Sequence, residues 1–283
     1  MGEHAAVYGA PALVAAVDPR SRVEVSLGTA GLEIELTDLD RQLETSWVEA
    51  REHAARSRQA WERYEAEPTP ERFSRVGTGS PLDLVTVALG ELAAVVDPRQ
   101  LRPLNIRIES NLPIGSGFGS SASIAVALVG GVLTLQPGPA DRPLGDRLAL
   151  EIERRQHGLP SGVDHKTELH GGVVLASRKS DDTLEVARLE TKATDLGDLE
   201  VYQTGRPTET TGEVVAAVRR FRDKERERFE VLLERMGNDV IELQRQLEQP
   251  DSTGGNTSTC IIWNKCSIVK SRHKSGCPSV FCR

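Results

Sequence analysis

A glycine-rich stretch at residues 113–123, Pro-Ile-Gly-Ser-Gly-Phe-Gly-Ser-Ser-Ala-Ser, constrains the fold more than any other part of the chain. Residues 105–109, just before it, alternate between polar and apolar side chains as strands do. Residues 122–135, just after it, form an apolar run of helical length. Glycines at every second position permit a tight turn and a close backbone approach to a ligand, and free amides at a helix start carry partial positive charge. The stretch therefore predicts a strand-to-helix loop that binds phosphate.

Two common nucleotide-binding loops do not match this stretch. It lacks the Gly-Lys-Ser/Thr ending of a P-loop, and Ser120 stands where a dinucleotide fingerprint has its third glycine. A glycine-rich turn into a buried helix, without any ligand, is the structural alternative. Ser120 and Ser121 also suit the start of a helix, where hydroxyls cap free amides.

Composition and charge limit the classes of partner. Mean hydropathy is −0.34, no apolar run approaches membrane-spanning length, and the N-terminus has no basic-then-apolar signal pattern. We therefore expect a cytoplasmic protein with no membrane association. The net charge of −7 divides into −11 over residues 1–250 (30 Lys and Arg against 41 Asp and Glu) and +4 over residues 251–283 (5 against 1). An acidic body argues against a nucleic-acid partner.

Periodicity predicts several elements outside the loop. Residues 22–36 alternate twice around Gly28 and Gly31, which favours a hairpin. Helices are expected at residues 45–65, 82–96 and 144–156, and a capping box of Thr210 with Glu213 predicts a further helix start.

Three motifs, taken together, resemble those of the mevalonate kinases. The loop follows the Pro-x-Gly-x-Gly-x-Gly-Ser-Ser-Ala pattern of the galactose, homoserine, mevalonate and phosphomevalonate kinase superfamily. Residues 2–9, Gly-Glu-His-Ala-Ala-Val-Tyr-Gly, are similar to the first mevalonate kinase motif, whereas galactokinases continue differently after Gly-Glu-His. Residues 157–164, His-Gly-Leu-Pro-Ser-Gly-Val-Asp, resemble the third motif.

The resemblance implies a set of site residues for the ATP-dependent phosphorylation of mevalonate. Asp164 aligns with the catalytic aspartate, and Ser121 and Glu153 align with the ligands of Mg²⁺. ATP and mevalonate are the implied small-molecule partners. The implied ATP-binding residues are Pro113, Gly115, Ser116, Gly117, Phe118, Gly119, Ser120, Ser121 and Ala122, and the implied substrate-binding residues are Glu3, His4 and Thr211.

The resemblance also implies an α/β (α+β) fold with two lobes. We expect an N-terminal mixed-sheet lobe over residues 1–180 and an incomplete ferredoxin-like lobe over 181–250. Residues 251–283 hold all four cysteines, without zinc-site spacing, and are expected to be a disordered, non-family tail. The family's strand with a catalytic lysine before residue 2 and its final glycine motif have no counterpart here, so we expect impaired activity. A homodimer is left open.

The residues alone leave several alternatives open. The same fold could phosphorylate another small alcohol or sugar, or the chain could be a non-catalytic fragment. Glu153 could be a solvated helix acid, and Thr211 could only cap a helix.

Overall fold

A computed structural model describes residues 2–76, 79–112, 118–135, 142–158, 160–179, 183–190, 198–203, 211–248, 260–263 and 267–272. Glu3, His4 and Thr211 are described in their backbone only. The elements are α1 (Glu3–Ala6), β1 (Ala12–Ala15), β2 (Ser21–Leu27), β3 (Leu32–Leu36), β4 (Arg41–Thr45), α2 (Trp47–Ala66), α3 (Pro70–Phe73), α4 (Pro81–Val95), β5 (Leu104–Ser110), α5 (Ser120–Leu135), α6 (Arg142–His157), α7 (Val163–His170), β6 (Val173–Arg178), β7 (Leu184–Arg188), β8 (Asp198–Gln203), α8 (Thr211–Lys224), α9 (Arg226–Glu248), β9 (Cys260–Trp263) and β10 (Ser267–Arg272).

A four-stranded mixed sheet has the order β2-β5-β3-β4, with β3 parallel to β5. The hairpin predicted over residues 22–36 is therefore wrong, because β5 lies between β2 and β3. Gly28 donates its N–H to the Pro103 carbonyl (2.9 Å), and Leu104 donates to the Gly31 carbonyl (3.0 Å). The connection between the two strands thus crosses over the chain that enters β5 instead of turning back on itself.

Helices cover the apolar face of this sheet. The main core joins β3 and β5 to α4 and α5, and includes Ala50 of α2 and Ile152 of α6. A Cβ at Gly90 of α4 would lie 2.1 Å from the Ala50 carbonyl oxygen, so the glycine permits the close crossing of α2 and α4. Both helices begin with a capping box, at Ser46 and at Ser80, which satisfies their first free amides.

A second sheet, β1-β6-β7, is antiparallel throughout and is covered on both faces. Val14 belongs to an apolar cluster with Ala6 of α1 and Val163 of α7. Leu13, which points to the opposite face as period-two alternation requires, packs with Val240 of α9. This sheet therefore joins the first and third motifs to the long helix α9.

The predicted α/β fold class is confirmed, while the proposed division into lobes stays a prediction. A third sheet, β8-β10-β9, pairs residues 198–203 with two stretches of the segment expected to be disordered, Cys260–Trp263 and Ser267–Arg272. These ten residues therefore have strand structure, and the rest of that segment lies outside the described residues. In the described part of the chain, each helix is too short or too polar to cross a membrane.

Candidate active site

The glycine-rich loop ends at the start of α5. Pro113, Gly115, Ser116 and Gly117 lie outside the described residues, whereas Phe118 to Ala122 are described. Gly119 has φ +66°, a left-handed conformation that glycine adopts without strain. Its carbonyl accepts the Ser123 N–H (2.9 Å) and so closes the first turn of α5. The first amides of this apolar helix therefore point towards the end of the loop.

Asp164 lies beside this helix start. A Cβ built on Gly119 would be 3.9 Å from both Cβ and Cγ of Asp164. Asp164 is in the first turn of α7, which begins after Gly162 at φ +79°. The Ser161 hydroxyl accepts the Val163 N–H (3.3 Å) and caps the same end. The structure thus brings the predicted catalytic aspartate next to the predicted phosphate-binding loop.

Ser121 and Glu153 are also brought together. The Ser121 Oγ lies 3.4 Å from Glu153 Oε1 and 3.0 Å from Nε2 of His157. Glu153 is 2% exposed, so it is not the solvated helix acid that the sequence left open. Burial lowers the pKa of the His157 imidazole to about 4, which keeps this ring neutral at neutral pH.

A buried ionic network fixes α6, the helix that carries Glu153 and His157. Arg155 is fully buried, and its Nη2 lies 3.2 Å from Glu91 Oε1 on α4 and 3.0 Å from Glu151 Oε2 on α6. Arg58 of α2 also pairs with Glu91. Buried charges are costly unless they are paired, so each partner holds the others in place. The network therefore ties three helices together behind the site.

A second clamp joins α6 to α7. Asp146 of α6 lies 3.1 Å from Nε2 of His165 and 2.8 Å from Nζ of Lys166, the two residues that follow Asp164 in α7. The hydrogen bond from His165, and then the hydrogen bond and charge of Lys166, lower the pKa of Asp146 to about 2 against the effect of burial. On α7 itself, desolvation and the nearby charge of Asp164 raise the pKa of Glu168.

Gly158 ends α6 inside an aromatic pocket. Its φ is +76°, and its carbonyl accepts the indole N–H of Trp61 (2.7 Å). A Cβ here would lie 2.7 Å from Cε1 of Tyr64 and 3.1 Å from Cε2 of Phe73. Only glycine satisfies both the backbone conformation and the space, so this position fixes where the chain leaves α6.

Arg178 connects the first motif to the third. Its Nε donates to the Ala6 carbonyl at the end of α1 (3.1 Å), and its Nη2 donates to the Ser161 carbonyl before α7 (3.0 Å). A cavity of about 660 Å³ lies next to this link, between the residues after α1 and helices α8 and α9. Its lining includes four basic residues and two acidic ones: Arg178, Lys179, Arg222, Arg226, Asp223 and Glu230. Lys179, Arg222 and Arg226 are paired with Glu185, Asp223 and Glu230, so most of this positive charge is already balanced.

The described oxygen donors fit Mg²⁺ rather than a softer metal. Ser121 and Glu153 offer a hydroxyl and a carboxylate, and Mg²⁺ prefers oxygen. Within the described ranges, no group of three or more His, Cys, Asp or Glu side chains is arranged to hold a metal ion. A small ligand set agrees with Mg²⁺, which binds one or two protein groups together with substrate phosphates and water.

Sequence reasoning therefore anticipated the grouping of Gly119, Ser121, Glu153 and Asp164. It gave no separate role to His157 or to Arg178. His157 was visible as the first residue of the third motif, whereas Arg178 carried no local signal because its partners are distant in the chain.

Comparisons with known proteins show which families the chain is similar to. Residues 83–172 match the family model described as the GHMP kinases N terminal domain. The chain is 26% identical over 239 residues to a mevalonate kinase of Pyrococcus abyssi, covering 83% of this chain and 63% of that relative. It thus spans less than two thirds of the length of that relative.

Solved structures share the fold. A mevalonate kinase crystal structure superposes with a TM-score of 0.66 at 18% identity, covering 86% of this chain and 69% of that one. The structure of L. major mevalonate kinase in complex with R-mevalonate has a TM-score of 0.56 at 22% identity, covering 89% and 67%. The glycine-rich loop, α5, α6 and α7 all lie within residues 83–172, so the part of the chain that forms the candidate site is similar to the GHMP kinases N terminal domain.

Proposed function

We propose that this chain transfers the γ-phosphoryl group of ATP to the 5-hydroxyl of mevalonate, with Mg²⁺ as the cofactor. The observation that carries the proposal is the meeting of three groups at the start of α5. These are the end of the glycine-rich loop, the Ser121–Glu153 pair and Asp164. Phosphoryl transfer needs little more than bound phosphates, neutralised charge and an oriented nucleophile, and this grouping offers all three.

Each group has a defined role in the proposal. The amides of residues 118–121 bind ATP phosphate at the positive end of α5. Ser121 and Glu153 hold Mg²⁺, which neutralises charge on the phosphates. Asp164 accepts a hydrogen bond from the substrate hydroxyl and takes its proton as the new oxygen–phosphorus bond forms. The bond between the γ-phosphorus and the oxygen that bridges it to the β-phosphate breaks, and ADP leaves with that oxygen.

The preference for mevalonate over neutral alcohols rests on residues 2–9, which are similar to the first mevalonate kinase motif. Mevalonate carries a carboxylate, and we propose that it approaches Arg178, which lies at the link between the first and third motifs. Arginine pairs well with carboxylates because its guanidinium presents several donors in one plane. Glu3, His4 and Thr211 are proposed to contact the substrate, although their side chains lie outside the described residues.

A substrate panel tests this proposal. ADP release with MgATP is measured with mevalonate, homoserine or galactose at equal concentrations, and with no acceptor. Release that depends on mevalonate and is lost on removal of Mg²⁺ is the expected result. Release that depends on galactose or homoserine would instead identify another alcohol as the substrate of this fold.

A further inference from the structure

His157 contacts both residues proposed to hold Mg²⁺, yet the phosphoryl-transfer scheme above assigns it no role. Its Nε2 lies 3.0 Å from Ser121 Oγ and 3.9 Å from Glu153 Oε1. The inference rests on the proposed function only in requiring that magnesium nucleotide binds at this site.

The geometry limits which way the Ser121 hydroxyl can point. A hydroxyl that binds a cation through its oxygen must direct its proton away from that cation. Glu153 Oε1 lies 3.4 Å from Ser121 Oγ. As a ligand, this oxygen would itself face the cation, so it is poorly placed to accept a hydrogen bond from the Ser121 hydroxyl. Nε2 of His157 is closer and lies at normal hydrogen-bond distance.

The surroundings of His157 hold the ring in place. His157 is the last residue of α6, and the next residue, Gly158, is fixed by the hydrogen bond from Trp61. The guanidinium of Arg154 lies over the Trp61 ring, 5.3 Å from its centroid. The ring of His157 is therefore presented to Ser121 from a well-supported helix end.

We propose that His157 is a positioning residue whose Nε2 accepts the hydrogen bond of the Ser121 hydroxyl and thereby turns the Ser121 oxygen towards the Mg²⁺ of MgATP. Such groups orient metal ligands without touching the metal, and their loss commonly weakens metal binding about 10-fold to 100-fold. Loss of His157 should therefore weaken the binding of Mg²⁺ at the site and leave binding of the nucleotide without metal unchanged.

The test measures binding of the non-hydrolysable analogue AMP-PNP by titration calorimetry, with Mg²⁺ and with EDTA, in the absence of mevalonate. We expect His157→Leu to weaken binding about 10-fold in Mg²⁺ and to leave binding in EDTA unchanged. His157→Gln places an amide near the original Nε2 and should retain binding within about threefold. His157→Asn, which places its amide near Nδ1 instead, should behave like His157→Leu.

Ser121→Ala provides the matched background. Because the proposed effect passes through the Ser121 hydroxyl, His157→Leu should cause no further loss in Ser121→Ala. An equal loss in that background, an equal loss in EDTA, or equal behaviour of the Gln and Asn variants would overturn the inference. If the unaltered chain binds magnesium AMP-PNP but phosphorylates no mevalonate, the proposed function fails while this inference is still tested.

Discussion

Replacement of Gly158 by alanine tests the packing that ends α6. Alanine at φ +76° costs about 1–2 kcal/mol in backbone strain. Its Cβ would also lie 2.7 Å from Cε1 of Tyr64, and overpacking of a filled site typically costs about 1–3 kcal/mol more. We therefore expect Gly158→Ala to lower the free energy of unfolding by about 2–5 kcal/mol.

Gly9→Ala is the matched control for backbone strain alone. Gly9 has φ +91°, but nothing lies within 4 Å of a Cβ built there. This variant should lose only about 1–2 kcal/mol. Urea unfolding followed by tryptophan fluorescence measures both variants, because Trp61 donates a hydrogen bond to the Gly158 carbonyl. Equal losses for the two variants would refute the claim that the Tyr64 contact constrains this helix end.

Three further predictions concern the site and its supports. Asp164→Asn should reduce kcat at least about 100-fold with an unchanged melting temperature, measured by ADP release and thermal unfolding; a smaller effect would contradict a role in proton transfer. Arg155→Met should cost about 3–5 kcal/mol in urea unfolding by leaving buried Glu91 short of a partner, and Glu91→Leu added to it should restore part of that loss. The lowered pKa of Asp146 contributes stability at pH values above about 4, and this contribution is lost as the pH falls towards 2. Asp146→Asn should therefore reduce the change in the free energy of unfolding over this pH range by about 1–2 kcal/mol. An unchanged pH dependence would contradict the clamp with His165.

Local signals in the sequence predicted the elements that depend on neighbouring residues. The helix after Pro81 and the helix at the end of the glycine-rich loop both follow from capping residues and apolar periodicity, and both are present. The hairpin at residues 22–36 failed because the strand between β2 and β3 comes from residue 104 onwards, about 70 positions later in the chain. Alternation identifies strands but not their order in a sheet.

The site shows the same contrast between local and distant signals. The resemblance of three motifs predicted that Ser121, Glu153 and Asp164 would meet, which periodicity alone could not do. The buried Arg155 resembled any other charged helix residue in the sequence, because its partner Glu91 lies on another helix. Contacts between residues far apart in the chain decide which charges are buried, and one sequence carries no direct signal for them.

The most direct test of the central claim is transfer of the γ-phosphoryl group of labelled ATP to mevalonate by the purified chain. The proposal predicts labelled 5-phosphomevalonate with Mg²⁺ present, formed at least about 100-fold more slowly by the Asp164→Asn variant. Label that appears in mevalonate equally with Asp164→Asn, or label that never leaves ATP when mevalonate is added, would contradict it.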